Sequence, residues 1–113
     1  KPILLVCRGF QLLANIYGAR LVKIDNHVKK NHKIYLTKSD FFKKDKIITT
    51  NSFHNYGIKN IDVKFQILGK TLDGCIEFAK IRNKKIYCTM FHPERHNKDQ
   101  KIIDNIIKKI FSL

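Results

Sequence analysis

Apolar residues along this chain fall into short runs with two different periods, and the change of period comes early. Pro2 to Val6 is continuously apolar, the pattern of a strand buried on both faces as in a parallel sheet. After Cys7-Arg8-Gly9, the residues Phe10, Leu12, Leu13, Ile16 and Tyr17 recur at helical spacing, and Gly18 supplies a stop. The chain therefore opens as strand, turn and helix. Leu21 to Ile24, Lys33 to Thr37 and Lys46 to Thr50 read as short strands separated by polar and basic turns, and Asn51 to Gly57 as a polar and aromatic loop. Val63 to Leu68, Ile76 to Ile81 and Ile86 to Met90 are three further strands, with turns at Gly69, Asp73-Gly74 and Asn83-Lys84-Lys85. The last segment is the clearest helix. Ile102, Ile103, Ile106, Ile107 and Ile110 or Phe111 form one apolar face, expected against the sheet, while Lys101, Asp104, Lys108 and Lys109 lie elsewhere. Repeats, low-complexity tracts and linkers are lacking, so residues 1–113 are expected to belong to a single domain.

Composition narrows the class. With 113 residues, 43% hydrophobic and 11% aromatic, the chain can bury one real core. It begins Lys1-Pro2-Ile3, and its first apolar run is ended by Arg8 too soon for a signal sequence, so it reads as part of a longer protein. No run approaches the roughly 20 apolar residues of a membrane span, and a soluble protein is expected. The 23 Lys and Arg against 9 Asp and Glu give a net charge of +14, which raises nucleic-acid binding. The cations nevertheless occur as scattered pairs, Lys29-Lys30, Lys43-Lys44, Lys84-Lys85 and Lys108-Lys109, in no nucleic-acid-binding motif. With so many Ile, Asn and Lys residues, biased codon composition is the first explanation of the basicity, and a polyanionic or nucleotide-bearing substrate is the next. Cys7, Cys75 and Cys88 form no CxxC pair and leave an odd count, which fits a reducing cytoplasm better than a disulfide framework or a structural zinc site. His92 and His96 have the spacing of helical metal ligands, but Pro93 favours a helix that excludes His92, and no metal is expected.

A cysteine where a buried strand turns into a helix occupies a nucleophile-elbow position. Gly9 then lets the helix approach the strand, and the helix N-terminus favours a thiolate. A small buried cysteine fits that local pattern equally well. The Met90-Phe91-His92-Pro93-Glu94-Arg95 run adds an imidazole and a carboxylate at the C-terminal end of a strand, where ligand sites of open α/β sheets lie. A thiol needs a base, and the imidazole needs a partner that fixes its tautomer. Cys7, His92 and Glu94 supply that set.

Taken in order, Lys1-Pro2-Ile3-Leu4 through Cys7-Arg8-Gly9-Phe10-Gln11, Asn51-Ser52-Phe53-His54-Asn55, Asp73-Gly74-Cys75-Ile76-Glu77 and His92-Pro93-Glu94-Arg95 resemble the class I glutamine amidotransferases. The similarity is greatest to the gamma-glutamyl-hydrolase-like branch (peptidase C26 type), and within it to bacterial gamma-glutamyl-CDP-amidate hydrolases linked to capsule polysaccharide modification. The resemblance implies an α/β flavodoxin-like three-layer sandwich with a mostly parallel central sheet, of which this chain is the catalytic C-terminal portion. It implies hydrolysis of a gamma-glutamyl amide through a cysteine thioester, without a cofactor. By position Cys7 matches the nucleophile, His92 the base, Glu94 the orienting acid and the Arg8 N–H an oxyanion donor. Gln11, Ser52, Phe53 and His54 match residues that hold the glutamyl part of a small-molecule, nucleotide-linked substrate. Read as residues alone, Gln11 also suits a solvated helix position and His54 a loop histidine bonded to backbone.

Two departures stand out. Leu5 occupies a position that is commonly glycine in the family, two residues before the nucleophile, and the family's glycine-containing loop that supplies a second oxyanion donor precedes the portion represented here. Rival readings are a glutaminase domain delivering ammonia to a synthetase partner, a basic nucleic-acid-binding module, and an inactive basic fragment.

Overall fold

At the point where the apolar run breaks, the computed structural model, which describes residues 1–24, 28–39 and 41–112, passes from strand β1 (Ile3–Val6) directly into helix α1 (Arg8–Ile16). Strands β2 (Val22–Lys23), β3 (Val28–Leu36), β4 (Lys46–Phe53), β5 (Tyr56–Gly57), β6 (Phe65–Lys70), β7 (Ile76–Ile81) and β8 (Ile86–Thr89) follow, and helix α2 (Gln100–Phe111) closes the order. Among the described residues, six strands form one sheet in the order β1-β8-β7-β6-β3-β4, and β2 pairs separately with β5.

The α/β architecture with a helix on each face is as expected, but the sheet in this chain is not mostly parallel. β1 and β8 run parallel, with Leu4 beside Tyr87 and Leu5 beside Cys88. The other pairings in the sheet are antiparallel. The cause is local: β6, β7 and β8 follow one another through tight turns, at which Gly74 (φ 89°) and Asn83 (φ 63°) take left-handed backbone conformations. Parallel pairing would need a crossover of a dozen or more residues, usually a helix.

Successive residues of β1 and β8 divide between the two faces, as strand geometry requires. Leu4 and Tyr87 join Leu68, Phe78 and Phe91 under Ile103, Ile106 and Ile110 of α2. Leu5 and Cys88 join Phe65 and Ala79 under Phe10 and Ala14 of α1. Each buried isoleucine of α2 contributes about 1.5–3 kcal/mol through area removed from water. Gly69 allows the sheet to close between β6 and β3, because a Cβ there would lie 2.9 Å from Ile34 Cγ2 and 3.0 Å from Leu36 Cδ2.

Three expectations need correction. On α1, Phe10, Leu13, Ala14 and Tyr17 form the inward stripe, so Leu12 and Ile16 stand outside it, 64% and 71% exposed. The 51–57 segment is not a loop: β4 runs to Phe53 because residues 51–53 pair with β3 at Asn31, Lys30 and Val28, and Tyr56-Gly57 forms β5. β3 likewise begins earlier than its polar N-terminal residues suggest, drawn into order by β4. The Lys29-Lys30 side chains lie outside the described residues, as does the segment 25–27 between β2 and β3. No helix among the described residues is long and apolar enough to cross a membrane.

Candidate active site

Cys7 is the hinge between β1 and α1. Its N–H donates to the Thr89 carbonyl at 2.6 Å, and its own carbonyl accepts from the Gln11 N–H at 2.9 Å. One residue thus ends a strand ladder and starts a helix, and it does so at φ 50°, ψ −97°. A non-glycine residue at such a conformation stores on the order of 1–3 kcal/mol of strain. Gly9 has the packing role expected of it, since a Cβ there would stand 3.3 Å from Leu5 Cβ. The bulk of Leu5 is accommodated because Gly9 has none.

The thiol is half-buried. Burial, followed by the negative charge of Glu77, raises its pKa, and the Arg8 N–H with the Arg95 and Arg8 charges only partly offsets this. The helix N-terminus favours the thiolate through the Arg8 N–H, as its position implies, but burial and the Glu77 charge outweigh it. A base has to remove the proton when the thiol reacts. Cys75 and Cys88 are fully buried, with thiols pushed up to about 11 and about 12, in each case by desolvation first.

The imidazole comes from the neighbouring strand. Val6 pairs with Thr89, so the residues that follow each leave the same end of two parallel strands. The Nδ1–H of His92 donates to Glu94 Oε2 at 2.8 Å, which leaves Nε2 as the basic nitrogen. Desolvation opposes ionisation of Glu94, but the hydrogen bond from His92, a backbone N–H and the charges of His92 and Arg95 together hold the carboxyl below its usual range. Phe53 meets the His92 ring edge-on at 5.8 Å, and the Arg95 guanidinium lies 4.6 Å from the Phe53 ring centre.

Two buried asparagines, for which sequence reasoning found no role, hold this loop. Asn51 Oδ1 accepts the His92 N–H at 2.8 Å, while its Nδ2 donates to the carbonyls of His92 at 2.8 Å and His96 at 3.0 Å. Asn97 Oδ1 accepts the Asn51 N–H at 2.7 Å, and its Nδ2 donates to Arg95 O at 2.9 Å. Their spacing follows no local rule, and the available hint was an Asn in a run that need not turn.

The residues matched to glutamyl binding separate into two groups. Gln11 and Phe53 are half-buried, and Gln11 Nε2 donates to the Tyr56 carbonyl at 3.0 Å. Ser52 and His54 are buried, at 0% and 3% exposure. The His54 ring lies between the Tyr56 carbonyl, 3.0 Å from Nδ1, and Glu77 Oε2, 3.3 Å from Nε2. Glu77 Oε1 is 3.2 Å from His32 Nε2. Glu77 was readable as an anomaly, an acid inside the apolar strand Ile76–Ile81.

Residues 1–110 match the family model for class I glutamine amidotransferases. The chain is 35% identical to gamma-glutamyl-CDP-amidate hydrolase of Campylobacter jejuni over 99% of its own length and 51% of that protein. It is 30% identical to a glutamine-hydrolysing GMP synthase subunit of Methanococcus aeolicus over 82% of its length and 50% of the relative. A crystal structure described as that of a GMP synthase subunit from Thermoplasma acidophilum superposes with a TM-score of 0.73 at 25% identity, covering 96% of this chain and 56% of that one. The chain spans about half the length of the curated relatives it matches.

Proposed function

The chain belongs to the class I glutamine amidotransferase family, and from that premise we propose that it carries the catalytic residues of a hydrolase that cleaves a gamma-glutamyl amide through a cysteine thioester. The observation that carries this reading is the His92–Glu94 bond on a loop leaving β8 beside the strained Cys7 at the end of β1.

In the proposed reaction His92 Nε2 takes the thiol proton as Cys7 Sγ bonds to the carbonyl carbon. The developing oxyanion faces the Arg8 N–H, and the imidazolium is stabilised by Glu94. Collapse breaks the C–N bond, with the proton passing from His92 to the departing amine. Water, deprotonated by His92, then attacks the thioester and releases glutamate and the thiol. Gln11 and the Ser52-Phe53-His54 segment bound the glutamyl part. The name of the Campylobacter relative suggests a nucleotide-linked leaving group, and the positive charges of Arg8 and Arg95 near the thiol suit an anionic group there. Capsule polysaccharide modification is the setting proposed from the resemblance of the motifs.

The test uses the full-length protein. Glutamate release from gamma-glutamyl-CDP-amidate is expected, together with a hydroxamate when hydroxylamine intercepts the thioester. Brief iodoacetamide treatment at neutral pH should label Cys7 ahead of Cys75 and Cys88. Turnover undiminished in Cys7→Ala would refute the covalent route. A second reading, glutamine hydrolysis feeding ammonia to a synthetase, is favoured by the relatives named as glutamine-hydrolysing GMP synthase subunits. It would show as stimulation of glutaminase activity by a synthetase and its substrates.

A further inference from the structure

The reaction above makes no use of Glu77, the carboxylate buried in the middle of the sheet. Its surroundings are specific. His54 approaches from the end of β4 and His32 from β3, one on each carboxylate oxygen. Glu77 is 0% exposed and His54 3%. An ionised carboxylate at such a site requires a compensating positive charge and hydrogen bonds.

The contacts of the His54 ring indicate where that charge resides. Nδ1 lies 3.0 Å from the Tyr56 carbonyl, which can only accept, and Nε2 lies 3.3 Å from a carboxylate oxygen. Both contacts become hydrogen bonds from the ring only if both nitrogens carry hydrogen. The Tyr56 carbonyl has a second donor, Gln11 Nε2 at 3.0 Å. Gln11 in turn lies one helical turn beyond Cys7 and donates its backbone N–H to the Cys7 carbonyl. A line of polar contacts therefore runs from the centre of the sheet to the turn that holds Cys7, an ion pair at its inner end and hydrogen bonds beyond it.

We propose that Glu77 and His54 form a buried carboxylate–imidazolium pair whose role is to fix the Tyr56 carbonyl and, through it, the Gln11 side chain, so that both are positioning residues for the glutamyl part of the substrate. This rests on the functional reading given above. Burial alone would lower the His54 pKa, but the hydrogen bond and charge of Glu77 turn the shift upward. Burial alone would raise that of Glu77, and the bonds from His32 and His54 turn it downward. The charged and titratable groups facing the pair are His32 from β3, Asp73 from the turn before β7, and the thiols of Cys7 and Cys75, which feel the Glu77 charge. Desolvation keeps such a pair from exchanging partners with water, which suits a fixed support rather than a proton carrier.

The experiment has two arms on the full-length protein. Nitrogen-15 NMR of histidine-labelled wild type at pH 7.5 should show both His54 ring nitrogens protonated, a result that depends on no variant. Steady-state kinetics of Glu77→Gln on a gamma-glutamyl amide should show KM raised about tenfold with kcat changed much less, since a displaced binding group weakens substrate positioning while the nucleophile and base remain. Glu77→Asp should recover part of the loss. An active wild type with a neutral His54, or an unchanged KM in Glu77→Gln, overturns this inference alone. A full-length protein that hydrolyses no gamma-glutamyl amide overturns the functional reading and, with it, the positioning role.

Discussion

Among the described residues, the histidine–carboxylate pairs His92–Glu94 and His54–Glu77 differ in solvent and spare valence. His92 and Glu94 meet at 2.8 Å with the acid side chain 59% exposed, whereas His54 and Glu77 meet at 3.3 Å with the acid wholly enclosed. In the outer pair one imidazole nitrogen holds the carboxylate and the other is left to accept a proton. In the inner pair both nitrogens face acceptors. On the proposed reading the same two residue types serve transfer in one place and support in the other, according to what surrounds them rather than how closely they approach.

The comparison is broken most completely at the nucleophile. Cys7→Ala in the full-length protein should lower gamma-glutamyl turnover by on the order of 10⁴-fold or more, since the outer pair then has no proton to move. Glutamate release measured alongside an unchanged circular dichroism spectrum checks this.

Next in size is removal of the inner acid. Glu77→Ala should destabilise the fold by about 3–5 kcal/mol, because it strands a buried imidazolium, and urea unfolding would measure it. The pH dependence has a definite sign. The pKa of His54 is raised above the ordinary 6.5, so its contribution is complete below that value and is lost as pH rises through the higher folded pKa. The pKa of Glu77 is lowered below the ordinary 4.5, so its contribution is complete above that value and is lost as pH falls through the lower folded pKa. The inner pair therefore stabilises most between these two values, and the gap in urea midpoint between wild type and Glu77→Gln should be widest there.

Glu94→Gln should cost on the order of 100-fold in kcat or less, as solvent screens the exposed charge, and should leave the urea midpoint nearly unchanged. A loss of stability as large as that of Glu77→Ala would erase the distinction between the pairs. The smallest effect expected is that of Gly9→Ala, about 1 kcal/mol or less in unfolding free energy, because Leu5 must yield a few tenths of an ångström beneath the added methyl.

How much of this could be read beforehand depended on range. The β1–α1 transition and α2 were legible because apolar spacing is a local signal, and Pro2 to Val6 and the Ile102–Ile110 series carry it without interruption. His92 and Glu94 were legible for the same reason, being two residues apart. β4 was obscured because Asn51 and Ser52 look like loop residues, and only pairing with β3 and burial beside Asn97 make them strand. The mostly parallel sheet came from resemblance, while the Asp73-Gly74 and Asn83-Lys84-Lys85 turns already carried the information for hairpins. The outward place of Leu12 and Ile16 was not legible, because a helical repeat in sequence does not say which of two adjacent apolar stripes meets the sheet. The Asn51 support of His92 spans 41 residues and left no trace in spacing.

One consequence of the β1–β8 pairing concerns time. Ile3 finds its partner at Ile86, near the other end of the chain, while β6, β7 and β8 join through short turns. Closing so long a loop is entropically slower than zipping hairpins. During refolding the antiparallel strands should therefore acquire amide protection before the elbow does. Reactivity of Cys7 toward a glutamine-shaped alkylating agent would appear late, as a clock for completion of the fold.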